Sequence, residues 1–166
     1  GSNWTPQRID DANEYAARNG LDGFTVLSNQ MSLARMVEPP WEGCLTASDI
    51  ETRKWLSRRK IPLFPWSSQA RGFFVQGRAA PDKLDDSEMV RCWYSEDNFE
   101  RLARAREIAK RRGWDTVSVA LAYLLHQPTP VYPLIGPLSV SEINVSLAAL
   151  DVHLSDSEVR WLNLET

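Results

Sequence analysis

Cysteine, histidine and surplus positive charge are all scarce in this 166-residue chain, and each shortage excludes something. The two cysteines, Cys44 and Cys92, lie far apart. They provide neither the dense pattern of a small secreted disulfide scaffold nor the paired spacing of a zinc site. With no CxxC partner, neither is expected to be redox-active, no metal site is expected, and a reducing, cytoplasmic setting fits best. Lysine and arginine total 19 against 22 acidic residues, for a net charge of -3. That balance lacks the basic stripe that phosphate backbones require, so no nucleic-acid partner is expected. Apolar runs are only a few residues long and no basic-then-apolar leader opens the chain, so no membrane or export segment is expected. The chain begins without Met, which leaves room for a longer parent.

What is present is globular: 43% of residues are hydrophobic and 25% charged, enough for one core. Helical periodicity alternates with short apolar runs, the pattern of repeated strand-helix units on a parallel sheet. Thr5-Pro6 caps a helix with Ile9, Ala12 and Ala16 inward, which Asn19-Gly20 ends. A strand follows over Phe24 to Ser28. After the Pro- and Trp-rich loop at Glu38-Pro39-Pro40-Trp41, Ser48 and Glu51 have the spacing of a capping box for a helix reaching Arg59. Ile61 to Trp66 reads as a strand, despite two prolines that are awkward in a central ladder. Residues 71 to 94 show no period and read as a long lid-like loop. Phe99, Leu102, Ala105 and Ile108 mark a helix ended by Gly113, with its arginines and lysine on a solvated face. Val117, Ala120, Leu121 and Leu124 mark the next, closed by Pro128 and Pro130. Val131 to Ile135 is the last strand. Ser139 with Glu142 opens a helix with Ile143, Leu147 and Leu150 inward, and Ser155 with Glu158 opens a terminal one.

The expected fold is therefore α/β, one partial domain over residues 1–166. Three strands and a fragment at residues 1 to 3 cannot close an eight-stranded barrel and would leave two parallel edges bare, so a missing half or a second copy is expected to cover them. Each strand ends in polar residues where ligands bind in such folds: Ser2-Asn3, Ser28-Asn29-Gln30, Trp66-Ser67-Ser68-Gln69 and Gly136-Pro137. Taken singly, these are helix caps, rim aromatics and turns. Their joint order and helix-length spacing make them informative.

In that order they resemble the aldo-keto reductases along essentially the whole chain, as the last three to four strand-helix units and C-terminal helices of a TIM (β/α)8 barrel. Gly1-Ser2-Asn3-Trp4 looks like the family's Gly-x-Ser-Asn-Trp strand end and Ser28-Asn29-Gln30 like its Asn-Gln end. Trp66-Ser67 followed by Gly72 resembles its aromatic-Ser segment, and Leu134-Ile135-Gly136 its final strand and turn. The resemblance implies an NAD(P)H-dependent reductase of aldehydes or ketones. Ser2, Asn3 and Gln30 would meet the nicotinamide carboxamide, Trp66 would stack on its ring, and Ser67, Gln69 and Gly72 would pass over the pyrophosphate. Gly136, Leu138, Ser139, Glu142 and Ser146 would lie at the adenosine end.

The chain departs from the family at that end. Leu138 replaces the usual Lys or Arg for the 2'-phosphate of NADP, while Glu142 and Ser146 replace Gln and Asn, so NADP and NAD both stay open. The family's catalytic Asp, Tyr, Lys and His match no position, and neither Tyr15, Tyr123 and Tyr132 nor His126 and His153 are substitutes. The isolated chain is therefore expected to be inactive, its small carbonyl substrate meeting loops that include Trp41 and Trp93. A non-catalytic nicotinamide-binding barrel, like the channel β subunits of the same superfamily, is the alternative.

Overall fold

The computed structural model describes residues 1–165. Among the described residues seven α-helices form: α1 Pro6–Arg18, α2 Ile50–Arg59, α3 Ser87–Trp93, α4 Glu96–Arg112, α5 Thr116–Leu125, α6 Val140–Leu147 and α7 Asp156–Leu162. Two 3-10 turns, Ala70–Gly72 and Ala148–Asp151, complete the regular structure. Among the described residues no helix is long and apolar enough to cross a membrane.

None of the three expected strands forms a continuous ladder. Four extended segments instead lie side by side, all parallel, joined by isolated bridges Ser2 to Ser28, Leu27 to Leu63 and Leu63 to Val131. The bonds alternate as parallel pairing requires: Ser28 N–H donates to Gly1 O, Leu27 to Pro62 O, Phe64 to Leu27 O, Leu63 to Pro130 O and Tyr132 to Leu63 O. Proline is the physical reason that the third and fourth segments stay fragmentary. Pro62 and Pro65 in one, and Pro130 and Pro133 in the other, have no N–H to donate.

Helix starts follow local chemistry. Thr5, Asp86, Ser95, Asp115, Ser139 and Ser155 each accept an N–H bond as N-cap. Helix α2 is capped by Asp49, which accepts from Thr52 N–H at 2.8 Å, one residue beyond the Ser48 expected. Ser48 is buried and its hydroxyl has no partner among the described residues. Of the two remaining capping boxes, that of Ser155 and Glu158 is complete. At Ser139 only half forms, because Glu142 reaches back to Leu138 N–H.

The largest departure lies between 71 and 94. Instead of a lid, this stretch carries α3 and sends Phe73, Phe74, Met89, Cys92 and Trp93 into the core. Asp86 caps α3 and also faces Arg78. Helix α5 is buried on every face rather than along one stripe, as befits its apolar sequence. The basic run on α4 is only partly solvated. Arg101 is buried, Arg104 donates to Trp161 O and lies over the Trp161 ring, and Arg112 donates to His153 O and to Glu158.

The side chains expected to point inward, Ile143 and Leu147 of α6 and Leu150 of the 3-10 turn after it, are exposed, as are Tyr132, Leu134, Ile135, Leu138 and Val140.

Buried Asn98 ties the loop after the second segment to the helical layer. Its oxygen accepts from Arg35 N–H at 2.7 Å, while its amide donates to Arg35 O and Trp93 O, each at 2.7 Å. Asn98→Ala would leave those backbone groups unpaired, so urea unfolding should show a loss of about 2–3 kcal/mol.

The α4–α7 contact carries a pH dependence. Burial works to raise the Glu158 carboxyl, but bonds from Ser155 and the charge of Arg112 outweigh it and hold the pKa below the ordinary 4.5. A depressed carboxyl contributes stability that is present above its unfolded pKa and lost as pH falls through the folded one. Glu158→Gln should therefore lower the melting temperature at pH 7 and flatten its decline below about pH 4.5, as read by thermal scans across pH.

Candidate functional site

The polar ends of the extended segments fall into two groups that the structure treats differently. In the first, Ser2 is exposed and pairs with Ser28, while Asn3 adopts a left-handed φ of 53°. The Asn3 side-chain oxygen accepts from Leu45 N–H at 3.1 Å. Gln30 is fully buried; its amide nitrogen donates to Ser32 Oγ at 3.0 Å and its oxygen accepts from Thr46 Oγ1 at 3.1 Å. Residues 45 to 47 thus hold Asn3 and Gln30 together through their own backbone and hydroxyl groups. Neighbouring Asn29 donates to Trp4 O but leaves its side-chain oxygen buried without a partner among the described residues.

Trp66 is half-buried, its indole N–H has no partner among the described residues, and its ring is stacked with that of Trp41 at 5.0 Å between centroids and 28° between planes. Trp41 is 55% exposed. The strap before it is fixed by Arg91, which donates to Pro39 O and Pro40 O and faces Glu38. Trp93, paired with Trp41 by the sequence as a substrate wall, is instead 0% exposed. Its place in α3 turns it into the core, so it reaches no mouth.

The second group forms a cavity of about 570 Å³ between the ends of the third and fourth segments. Seven of the sequence-selected residues line it: Ser67, Gln69, Gly72, Gly136, Leu138, Glu142 and Ser146. Ser139 stands next to them as the cap of α6. A chain of bonds holds this wall. Ser68 Oγ donates to Leu134 O at 2.6 Å, Gln69 Nε2 to Ser146 Oγ at 2.9 Å, and Ser146 Oγ to Glu142 O at 2.8 Å.

The backbone over the cavity is unusual. Ser67, Ala70, Arg71 and Gly72 all have positive φ, between 47° and 88°. Such a turn gathers N–H groups toward an anion. The N–H groups of Ala70, Gly72 and Phe73 are used inside the turn, while those of Ser68 and Gln69 have no partner among the described residues. At Gly72, φ is 88° and an added Cβ would come within 3.2 Å of the Arg78 side chain, so glycine serves both the turn and the space.

Sequence reasoning missed Arg71, Arg78 and Asp115, which also line the cavity. Asp115 caps α5, a role its position before Thr116 signals. Nothing local marks the two arginines, which arrive through the folding of 71 to 94 onto the core. They pair with Glu88 at 2.8 Å and Asp86 at 3.5 Å. Among the described residues no cluster of metal-ligating side chains forms. Both cysteines are buried and free, and burial raises the Cys92 thiol pKa.

Known proteins with similar sequences and structures point one way. The chain is 29% identical over 149 residues to a norsolorinic acid reductase of Emericella nidulans, covering 89% of this chain and 35% of that protein. It is 30% identical over 153 residues to the versiconal hemiacetal acetate reductase of Aspergillus parasiticus, covering 89% and 41%. It therefore spans well under half the length of these relatives. Among solved structures, a thermostable aldo-keto reductase in complex with epalrestat superposes with a TM-score of 0.67 at 15% identity, over 99% of this chain and 47% of that one. The aldose reductase of Schistosoma japonicum gives 0.62 at 16% identity, over 99% and 40%. The aldo/keto reductase family model matches residues 2–163.

The cavity wall can be checked without any ligand. Ser146→Ala removes both the acceptor for Gln69 and the donor to Glu142 O, so Gln69→Ala in that background should cost clearly less than in the native chain. Equal losses in a double-mutant cycle would mean that the two do not act together.

A family match that covers nearly every residue, on a fold shared along the same length, makes this chain a member of the aldo/keto reductase family.

Proposed function

We propose that this chain is the cofactor-holding half of an NAD(P)H-dependent aldo-keto reductase that reduces aldehydes or ketones to alcohols. The observation that carries the reading is the single cavity lined by seven residues chosen from sequence alone. Its chemistry fits a dinucleotide: small residues and open N–H donors where a pyrophosphate passes, then Gln69, Ser146 and Glu142 where an adenosine needs polar partners. The cofactor, when bound, supplies the hydride.

At the other end Trp66 provides a ring face, and Ser2, Asn3 and Gln30 provide amide and hydroxyl groups for a carboxamide. Gln30 can take that role only by exchanging its bonds to Ser32 and Thr46. Trp41 must likewise share or yield its place on Trp66. Both adjustments suit an end of the site that is completed by other elements.

The exposure of the apolar side chains Ile143, Leu147 and Leu150 supports a partial barrel, the last three to four strand-helix units with the remainder of the (β/α)8 barrel covering them and carrying the catalytic Asp, Tyr, Lys and His. In this reading the 166 residues alone bind nucleotide but transfer no hydride.

The test is to incubate the chain with NADPH or NADH and 4-nitrobenzaldehyde while titrating nucleotide fluorescence. Nucleotide binding without turnover is expected, with Trp66→Ala weakening binding about tenfold, the scale of one lost stacking contact. Turnover by the native chain would place the chemistry within it. Absence of binding by both nucleotides would end the cofactor reading.

A further inference from the structure

The cavity has an uneven charge arrangement that bears on which dinucleotide it takes. Its charged lining residues are Arg71, Arg78, Asp115 and Glu142. Both arginines are already paired, Arg71 with Glu88 and Arg78 with Asp86. Asp115 is engaged at the start of α5, accepting from Val117 N–H at 2.7 Å. Neither Asp115 nor Glu142 has a cation within ion-pairing distance among the described residues. One Glu142 oxygen accepts from Leu138 N–H at 2.7 Å. The other is left to accept from whatever enters the cavity.

Leu138 itself is 94% exposed at the same lip and brings no charge. Glu142 thus removes a backbone donor that an anion could have used and adds a negative charge in its place. A phosphate there would bring about 1.5 to 2 further negative charges against it. A ribose hydroxyl, by contrast, can donate to a carboxylate in a charge-assisted bond.

We propose that Glu142 is a specificity-determining residue that selects a dinucleotide with free adenosine-ribose hydroxyls, so that the chain prefers NAD(H) to NADP(H). The proposal rests on the cofactor reading above and adds the identity of the nucleotide.

Titrating the full chain with NADH and NADPH, following nicotinamide fluorescence, tests it. NADH should bind about tenfold more tightly, the scale of one charge-assisted hydrogen bond. Glu142→Gln keeps an acceptor for Leu138 N–H, so α6 should persist by circular dichroism, and the preference should shrink because NADPH gains affinity. Leu138→Arg, at a fully solvated position, should also raise NADPH affinity. NADPH binding as tightly as NADH to the native chain, or a preference unchanged in Glu142→Gln, would overturn the role of Glu142 while leaving the cofactor reading intact. Failure of both nucleotides to bind would remove the cofactor reading, and this proposal with it.

Discussion

Proline in the extended segments is the constraint on which the rest of the molecule depends. Pro62, Pro65, Pro130 and Pro133 cannot donate, so the third and fourth segments cannot be joined by an uninterrupted ladder. The bonds that remain are few, and side-chain hydroxyls supplement them. Ser28 Oγ donates to Phe64 O at 2.8 Å, and Ser68 Oγ donates to Leu134 O at 2.6 Å, each linking neighbouring segments near their C-terminal ends. Alignment of the segments is therefore fixed most firmly where the polar residues gather. The helical layer, with α5 enclosed on every side, supplies the burial that a broken sheet does not.

That distribution explains the contrast between the two groups of site residues. The cavity at Ser67 to Gly72 and Leu138 to Ser146 is built entirely from the third and fourth units, and both its walls are present. Asn3 and Gln30 are instead satisfied through the 45 to 47 stretch, because an unpaired buried group is costly, and Trp66 stacks on Trp41. The Asn29 side-chain oxygen and the Trp66 indole N–H stay buried without partners among the described residues. The site is open where its framework is whole and folded onto itself where it is not.

Much of this was legible in the sequence, for local reasons. Caps at Thr5, Ser139 and Ser155 are written in two or three residues each, and so are the parallel order and polar ends of the segments. The misreadings arise where distant contacts decide. Residues 71 to 94 lack a period because Phe73 and Phe74 enter the core from the turn after the 3-10 segment, and Met89 and Trp93 from a short helix, not from one continuous face. The arginines of α4 look solvated in a helical projection, yet Trp161 and Glu158 of α7 meet Arg104 and Arg112. The face of Ile143, Leu147 and Leu150 was read correctly as apolar, but amphipathicity says only that a face seeks cover and not what supplies it.

The stacked Trp41 and Trp66 rings have an optical consequence. Two indoles with centroids 5.0 Å apart and planes inclined by 28° are close enough for their electronic transitions to couple, giving a signed pair of ellipticity bands that isolated tryptophans lack. The chain thus carries its own spectroscopic gauge of the strap that Arg91 holds, readable without any label.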